Sequence, residues 1–390
     1  MIERALQKKL IDLSEKFQVV TLTGPRQSGK TTLVKSTFPS YSYVSLEEPD
    51  IRQFALTDPR GFLSNYPDGV IFDEIQHTPD LFSYIQTIVD TERDRKFILT
   101  GSSNFLLMEK ISQTLAGRTG ILHLLPLSLF ELENGGYRFE KYETPIYSGQ
   151  YPRIYDRNIS PNDFFPSYIQ TYVERDVRLM KNIGDINSFI QFIQLCAGRT
   201  GQLLNYSSLA NDAGISPNTV KSWISILEAS YIVYRVQPYH KNFNKRLVKQ
   251  QKLYFYDTGI ACALLRIQDE RQIGTHYMKG ALFENLIINE FIKYNFNKGN
   301  RQYPYFWQDN HGREVDCLLE DGDELSAIEM KSAKTIDNSF FDNLKFWYDL
   351  TNTSPDNGYV VYGGEKSYQT NLGTYVSWND LKRIKFIQND

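Results

Sequence analysis

Over the first 125 residues, short runs of apolar and β-branched residues alternate with segments whose apolar positions recur at helical spacing. Ile2–Phe17 carries Ile2, Leu6, Leu10 and Leu13 on one side and predicts a helix. Gln18–Thr23 (QVVTLT), Tyr41–Leu46 (YSYVSL), Gly69–Asp73 (GVIFD) and Lys96–Thr100 (KFILT) predict strands, and Ile121–Leu125 is a further apolar stretch. Between them, Thr32–Thr37 predicts a helix stopped by Phe38-Pro39, and Leu81–Asp90 predicts another. Pro49–Leu56 and Pro59–Asn65 each open on a proline, where a helix has no need of an N–H. Strands that are apolar along their whole length belong to a parallel sheet covered on both faces. The pattern therefore predicts an α/β parallel-sheet domain over residues 1–165.

Pro126–Phe165 is rich in Pro, Gly and Tyr with weak periodicity, and the first domain boundary is placed there. Pro166–Asn182 predicts a joining helix, whose Glu174-Arg175-Asp176 is either an internal ion-pair cluster or an interface contact. Ile186–Ala197, Ser207–Ala213 and Thr219–Ala229 predict three short helices, with Gly214 closing the second and Ser216-Pro217 capping the third. The strand Tyr231–Val236 then completes the outline of a winged helix-turn-helix over 166–240. Asn218, Thr219, Lys221 and Ser222 are a thin set for reading base edges, so the module is expected to be structural or to bind without sequence preference. Lys241–Lys252 is the most basic stretch and reads either as a solvated loop or as a contact for a DNA or RNA backbone.

The last third, 241–390, predicts a helix at Gly280–Tyr294 and strands at Tyr305–Trp307, Glu314–Leu319 and Leu325–Lys331. Glu284 falls on the apolar side of the helix, where a carboxylate is costly unless paired or metal-bound. Asp316 lies inside an apolar strand, and a period of two puts Glu329 and Lys331 on one face. Helix Glu, strand Asp, then strand Glu-x-Lys is the layout of a PD-(D/E)XK nuclease core. In it Asp316 and Glu329 would bind Mg²⁺, Glu284 would support the metal's waters, and Lys331 would orient the nucleophile or steady the phosphorane charge. The alternative is a buried polar network without metal.

The sharpest chemistry lies at Gly24-Pro25-Arg26-Gln27-Ser28-Gly29-Lys30-Thr31, with Thr32 next, which fits the phosphate-binding pattern G-x-x-x-x-G-K-[ST] between a strand and a helix. Lys30 would reach the β- and γ-phosphates of ATP and the Thr31 hydroxyl would bind Mg²⁺. Asp73 ends an apolar strand as a Walker B acid and would hold the Mg²⁺ through water, while Glu74 would polarise the attacking water. Gly101-Ser102-Ser103-Asn104 reads either as a γ-phosphate sensor or as a helix cap, and Arg118 either as a charge-compensating arginine, in its own or a neighbouring subunit, or as a surface ion pair.

Composition changes this picture little. Forty-three basic against 46 acidic residues give a net charge of −3, so no global field marks the chain for nucleic acid. Cys196, Cys262 and Cys317 are too scattered for a disulfide framework or a zinc ribbon and suit a reducing compartment. The start of the chain lacks the apolar core of a secretory signal, and no apolar run is long enough to span a bilayer, so a cytoplasmic protein is expected.

Taken together, Gly24–Thr32 (GPRQSGKTT), Gly69–Gln76 (GVIFDEIQ), Leu99–Ser103 (LTGSS), Leu115–Arg118 (LAGR), Tyr172–Val177 (YVERDV), Leu253–Ile260 (LYFYDTGI), Gly280–Glu284 (GALFE), Glu314–Asp316 (EVD) and Glu329–Lys331 (EMK) carry a resemblance. The chain resembles a family of prokaryotic AAA-type ATPases of largely unknown function, built from a P-loop domain, a winged helix and a C-terminal restriction-endonuclease-like α/β domain. The resemblance implies ATP binding and hydrolysis and leaves the substrate open, with DNA, RNA, a protein partner or a second copy of the chain as candidate partners. The competing expectation is a nucleotide-gated scaffold without nuclease activity.

Overall fold

The computed structural model describes residues 2–92, 94–102, 110–111, 113–172, 185–240, 248–322 and 324–388. The first five strands are β1 (Val19–Thr23), β2 (Ser42–Ser45), β3 (Gly69–Asp73), β4 (Lys96–Gly101) and β5 (Thr119–His123). They form one parallel sheet in the order β2-β3-β4-β1-β5. Helices cover both faces, as strands without a polar side require. Leu6, Leu10, Leu33 and Val34 meet Val20 and Ile71 on one face, and Phe62, Phe82 and Ile85 meet Val70 and Phe72 on the other. Parallel strands all end at one edge, so the loops after β1 and β3 open on the same side.

The stretch with weak periodicity is a string of short helices, Leu129–Asn134, Glu143–Ser148, Pro152–Arg157 and Pro161–Tyr172. The last of these starts at Pro161, earlier than the expected Pro166, which lies in its interior. A proline there removes one backbone bond, and Phe164, Phe165 and Tyr168 bury enough surface to offset it. Glu174-Arg175-Asp176, Ser103, Asn104, Lys241, Lys245 and Arg246 lie outside the described residues.

Helices Ile186–Ala197, Tyr206–Ala213 and Pro217–Ala229 come next. Gly214 takes the left-handed conformation that ends the second, and the Ser216 hydroxyl accepts from Thr219 N at 3.1 Å to cap the third. Trp223, Ile224 and Leu227 face the core, and Asn218 and Lys221 are exposed. β6 (Val233–Pro238) and β7 (Lys252–Phe255) then pair antiparallel.

This pair is also the edge of a larger sheet. β6 runs parallel to β8 (Tyr305–Gln308), with Gln237 opposite Tyr305 and Pro238 opposite Phe306. From β8 the chain turns back into β9 (Glu314–Asp321) and β10 (Glu324–Lys331), crosses through the helix Asp342–Thr351, and enters β11 (Gly358–Tyr362) parallel to β10. β12 (Tyr368–Thr370) and β13 (Gly373–Ser377) complete eight strands in the order β12-β13-β11-β10-β9-β8-β6-β7. Residue 240, where the sequence suggests a boundary, thus lies between two neighbouring strands of one sheet. One apolar cluster joins Phe192, Trp223, Tyr234, Phe283 and Ile328 across it. Among the described residues, no helix is long and apolar enough to cross a membrane.

Candidate functional site

At the C-terminal edge of β1 the chain turns sharply. Gly24 has φ +151°, and a Cβ there would lie 2.1 Å from the carbonyl oxygen of Leu124, so only glycine fits. Gly29 has φ +94°, and the helix Lys30–Thr37 starts immediately after it. The Lys30 ammonium is folded over the mouth of the turn, donating to the carbonyls of Gly24 at 2.9 Å and Pro25 at 2.8 Å. Arg4 braces the turn from behind. Its guanidinium donates to Ser28 O at 2.6 Å and Leu125 O at 2.7 Å, and pairs with the buried Glu131 at 3.0 Å.

The end of β3 faces this turn. Asp73 accepts from the hydroxyls of Thr31 and Tyr43, each at 2.8 Å, and from Thr100 on β4. Glu74 has φ +56°, a left-handed conformation that non-glycine residues adopt rarely. Its carboxylate accepts from Ser102 N at 3.2 Å, Ser102 Oγ at 3.0 Å and the Gln76 amide. Burial alone would raise the Glu74 pKa, but Lys30, Gln76 and Arg26 outweigh it and hold the carboxyl below its ordinary value. Lys30, Thr31, Asp73 and Glu74 therefore converge, with Ser102 beside them.

Arg118 does not join them. It stands just before β5, and β5 starts level with Val19 at the N-terminal edge of the sheet. The phosphate-loop turn is a strand length away, about 16 Å at roughly 3.3 Å per residue. Arg118 is 39% exposed and forms a two-pronged pair with Asp90, at 2.6 and 3.1 Å. A role toward phosphate within its own chain is excluded by this placement.

A second cluster forms where the helix Lys279–Asn297 crosses the larger sheet. Glu329 on β10 is fully buried and pairs with Lys331 at 2.6 Å, and Lys331 lies 3.8 Å from Asp316 on β9. Asp316 also accepts from Met330 N at 2.8 Å. Glu284, from the helix, accepts from Tyr254 and pairs with Lys252 at 3.1 Å, and Lys252 also pairs with Glu314. Single oxygens of Glu284, Glu314 and Asp316 lie within 4.8 Å of one another. Burial is the largest influence on Glu284 and Glu329 and pushes both carboxyl groups up; Asp316 adds to that push, and Lys252 and Lys331 oppose it.

The cluster corrects one expectation from the sequence. Lys252 is 3% exposed and spent on two acids, so it is unavailable to a nucleic-acid backbone; Lys249 remains exposed. Lys252, Tyr254 and Glu314 are also the members that sequence reasoning missed. A signal for them exists. Lys252 and Tyr254 share a face of β7, and Glu314 and Asp316 share a face of β9, by the period of two. Nothing local in Arg4, Tyr43 or Thr100 marks them.

The fold and the first site define an AAA-type P-loop ATPase-like domain on a parallel α/β sheet. Residues 16–133 match the family described as "AAA domain". Residues 139–271 and 279–381 match two families described as domains of unknown function, DUF8612 and DUF4143. The uncharacterized protein Rv2008c of Mycobacterium tuberculosis is 26% identical over 321 residues, covering 81% of this chain and 71% of its own. The uncharacterized protein MJ1637 of Methanocaldococcus jannaschii is 25% identical over 303 residues, covering 64% of this chain and 63% of its own. The Walker-type ATPase PABY2304 of Pyrococcus abyssi is 16% identical with a TM-score of 0.47, over 68% of this chain and 96% of its own.

Proposed function

We propose that the chain binds and hydrolyses ATP at the β1–β3 edge and carries a second, metal-dependent centre for cutting a nucleic-acid backbone. The observation that carries the first half is the convergence of Lys30, Thr31, Asp73 and Glu74 on one turn. The glycine turn and the start of the helix Lys30–Thr37 favour phosphate there. Thr31 and Asp73 offer the paired hydroxyl and carboxylate that suit Mg²⁺, which when bound would neutralise charge on the β- and γ-phosphates. Lys30 would leave the carbonyls of Gly24 and Pro25 for phosphate oxygens. Glu74, kept ionised, would accept a hydrogen bond from the attacking water, and Ser102 would hold it in place. Lys30→Ala should lose ATP binding, whereas Glu74→Gln should bind ATP and lose turnover. Parental hydrolysis in both variants would refute this.

For the second centre, the carrying observation is the succession of helix Glu284, β9 Asp316 and β10 Glu329-x-Lys331 at one place on a mixed sheet. This succession supports reading it as a PD-(D/E)XK nuclease core. Carboxylate oxygens suit Mg²⁺ or Mn²⁺, and oxygens of Glu284, Glu314 and Asp316 within 4.8 Å of one another support a cation there. Asp316 and Glu329 would hold the metal, which would supply an activated water, and Lys331 would orient that water. Cleavage should require Mg²⁺ or Mn²⁺ and vanish in Asp316→Ala and Lys331→Ala while ATP hydrolysis survives. One observation favours a second reading. Both lysines already pair with the acids, as in a buried network that needs no metal. A nucleotide-gated scaffold of that kind would release ATP unhydrolysed, or turn it over only with a partner present, and would cut no substrate in either metal.

A further inference from the structure

The second centre brings four carboxylates, Glu284, Glu314, Asp316 and Glu329, to two ammonium groups. The two lysines divide them. Lys331 serves Glu329 at 2.6 Å and Asp316 at 3.8 Å, whereas Lys252 serves Glu284 at 3.1 Å and Glu314. The lysines also come from different places. Lys331 lies on β10, beside the acids on β9, but Lys252 arrives on β7, at the far edge of the sheet. β7 is clamped between β6 and residues 201–204, with Gly201 N donating to Leu253 O and Leu204 N to Gln251 O, each at 2.7 Å. The Lys252 backbone is thus paired on both sides, and its ammonium is held by Glu284 and Glu314. Taking a lysine this far out of water is costly unless carboxylates meet it, and two do.

We propose that Lys252 is a resident cation of this centre. Its ammonium sits where Glu284, Glu314 and Asp316 could together hold a divalent ion, and it excludes an ion from that position. The proposal rests on the reading of the centre as a metal site. Charge supports it: the Lys252 ammonium meets two carboxylates at once, a neutralisation that a divalent ion would otherwise supply. Geometry supports it too. Oxygens of Glu284, Glu314 and Asp316 close enough to share one cation already have the Lys252 nitrogen against two of them. An ammonium neutralises charge and donates hydrogen bonds, but it does not lower the pKa of a water as a metal does. At this position the centre would therefore carry a fixed positive charge and no water-activating ion.

The test counts Mn²⁺ by electron paramagnetic resonance in the full, nucleotide-free chain, with Lys252→Ala to open the space and Lys252→Gln to keep a donor without charge. Lys252→Ala should bind one Mn²⁺ more than the wild type, and adding Glu314→Gln to Lys252→Ala should abolish that gain. Without metal, Lys252→Ala should melt below the wild type and regain more on Mn²⁺ addition, because an ion that binds only the folded state stabilises it. Any ion held at Thr31 and Asp73 cancels in the comparison. If both Lys252 variants bind no more Mn²⁺ than the wild type, the proposal is overturned, and the metal reading then stands or falls on whether Asp316→Ala binds one ion fewer than the wild type. A gain in Lys252→Ala, with Asp316→Ala binding as many ions as the wild type, would uphold Lys252 as the resident cation and sink the metal-nuclease reading. Failure of both variants to fold even in millimolar Mn²⁺ would overturn the proposal, since the ion should replace the lost ammonium.

Discussion

His123 shows how a single residue ties the ATPase-like sheet to the start of the larger one. It ends β5, and its Nδ1 lies 2.7 Å from the hydroxyl of Tyr231, just ahead of β6. Burial, with a smaller push from Arg301, lowers its pKa from 6.5 to about 3, so the folded protein keeps the ring neutral. Below pH 6.5 the unfolded chain takes up a proton that the folded chain refuses, so stability is lost as pH falls from 6.5 toward about 3. The slope from this one group approaches about 1.4 kcal/mol per pH unit. Urea unfolding midpoints between pH 4 and 7 should show the fall, and His123→Gln should flatten it. An unchanged slope in the variant would place the acid sensitivity elsewhere.

At the scale of elements, the direction of β5 decides what Arg118 can do. Because β5 runs parallel to β1, the residue before it is delivered to the edge away from the phosphate loop. A role toward ATP is then open to Arg118 only across a subunit contact. Mixing Arg118→Ala with Lys30→Ala protein tests this. Restored hydrolysis, toward the roughly 10³–10⁵-fold that a supplied arginine can give, would support the trans role. No restoration would leave Arg118 as the partner of Asp90. The sequence makes the elements themselves legible. β1, β3 and β4 are continuous apolar runs, and the spacing of Glu329 and Lys331 puts them on one face of β10. Strand order is not legible, because pairing between distant segments leaves no local period. For that reason Arg118 reads as a candidate for the phosphate site, and Lys252 reads as part of a basic loop, although the pairing of β7 with β6 and its approach to Glu284 bury it.

At the scale of the whole molecule, the parts are joined by more than chain connectivity. Arg4 links the phosphate loop to Glu131, and Leu129 N, beside Glu131, donates to Glu290 at 2.7 Å. Glu290 and Lys293 lie on the same helix as Glu284, and Lys293 reaches back to Leu127 O at 2.9 Å. A fragment beginning at residue 279 would lose these contacts, together with β6, β7, Lys252 and Tyr254. It should show no cooperative thermal transition by circular dichroism, whereas a fragment beginning at residue 185 should keep one; a sharp transition in the shorter piece would count against this account. The shared sheet also bears on inheritance. The joint between the second and third matched segments, at residues 271 and 279, is a seam in the sequence but not in the sheet, because β8 finds its neighbour β6 on the other side of it. A recombinant that took only the last segment from a relative would bring β8 to a foreign β6 and four acids to a foreign lysine. The two segments can therefore be exchanged only as a pair, and should travel together wherever either is found working.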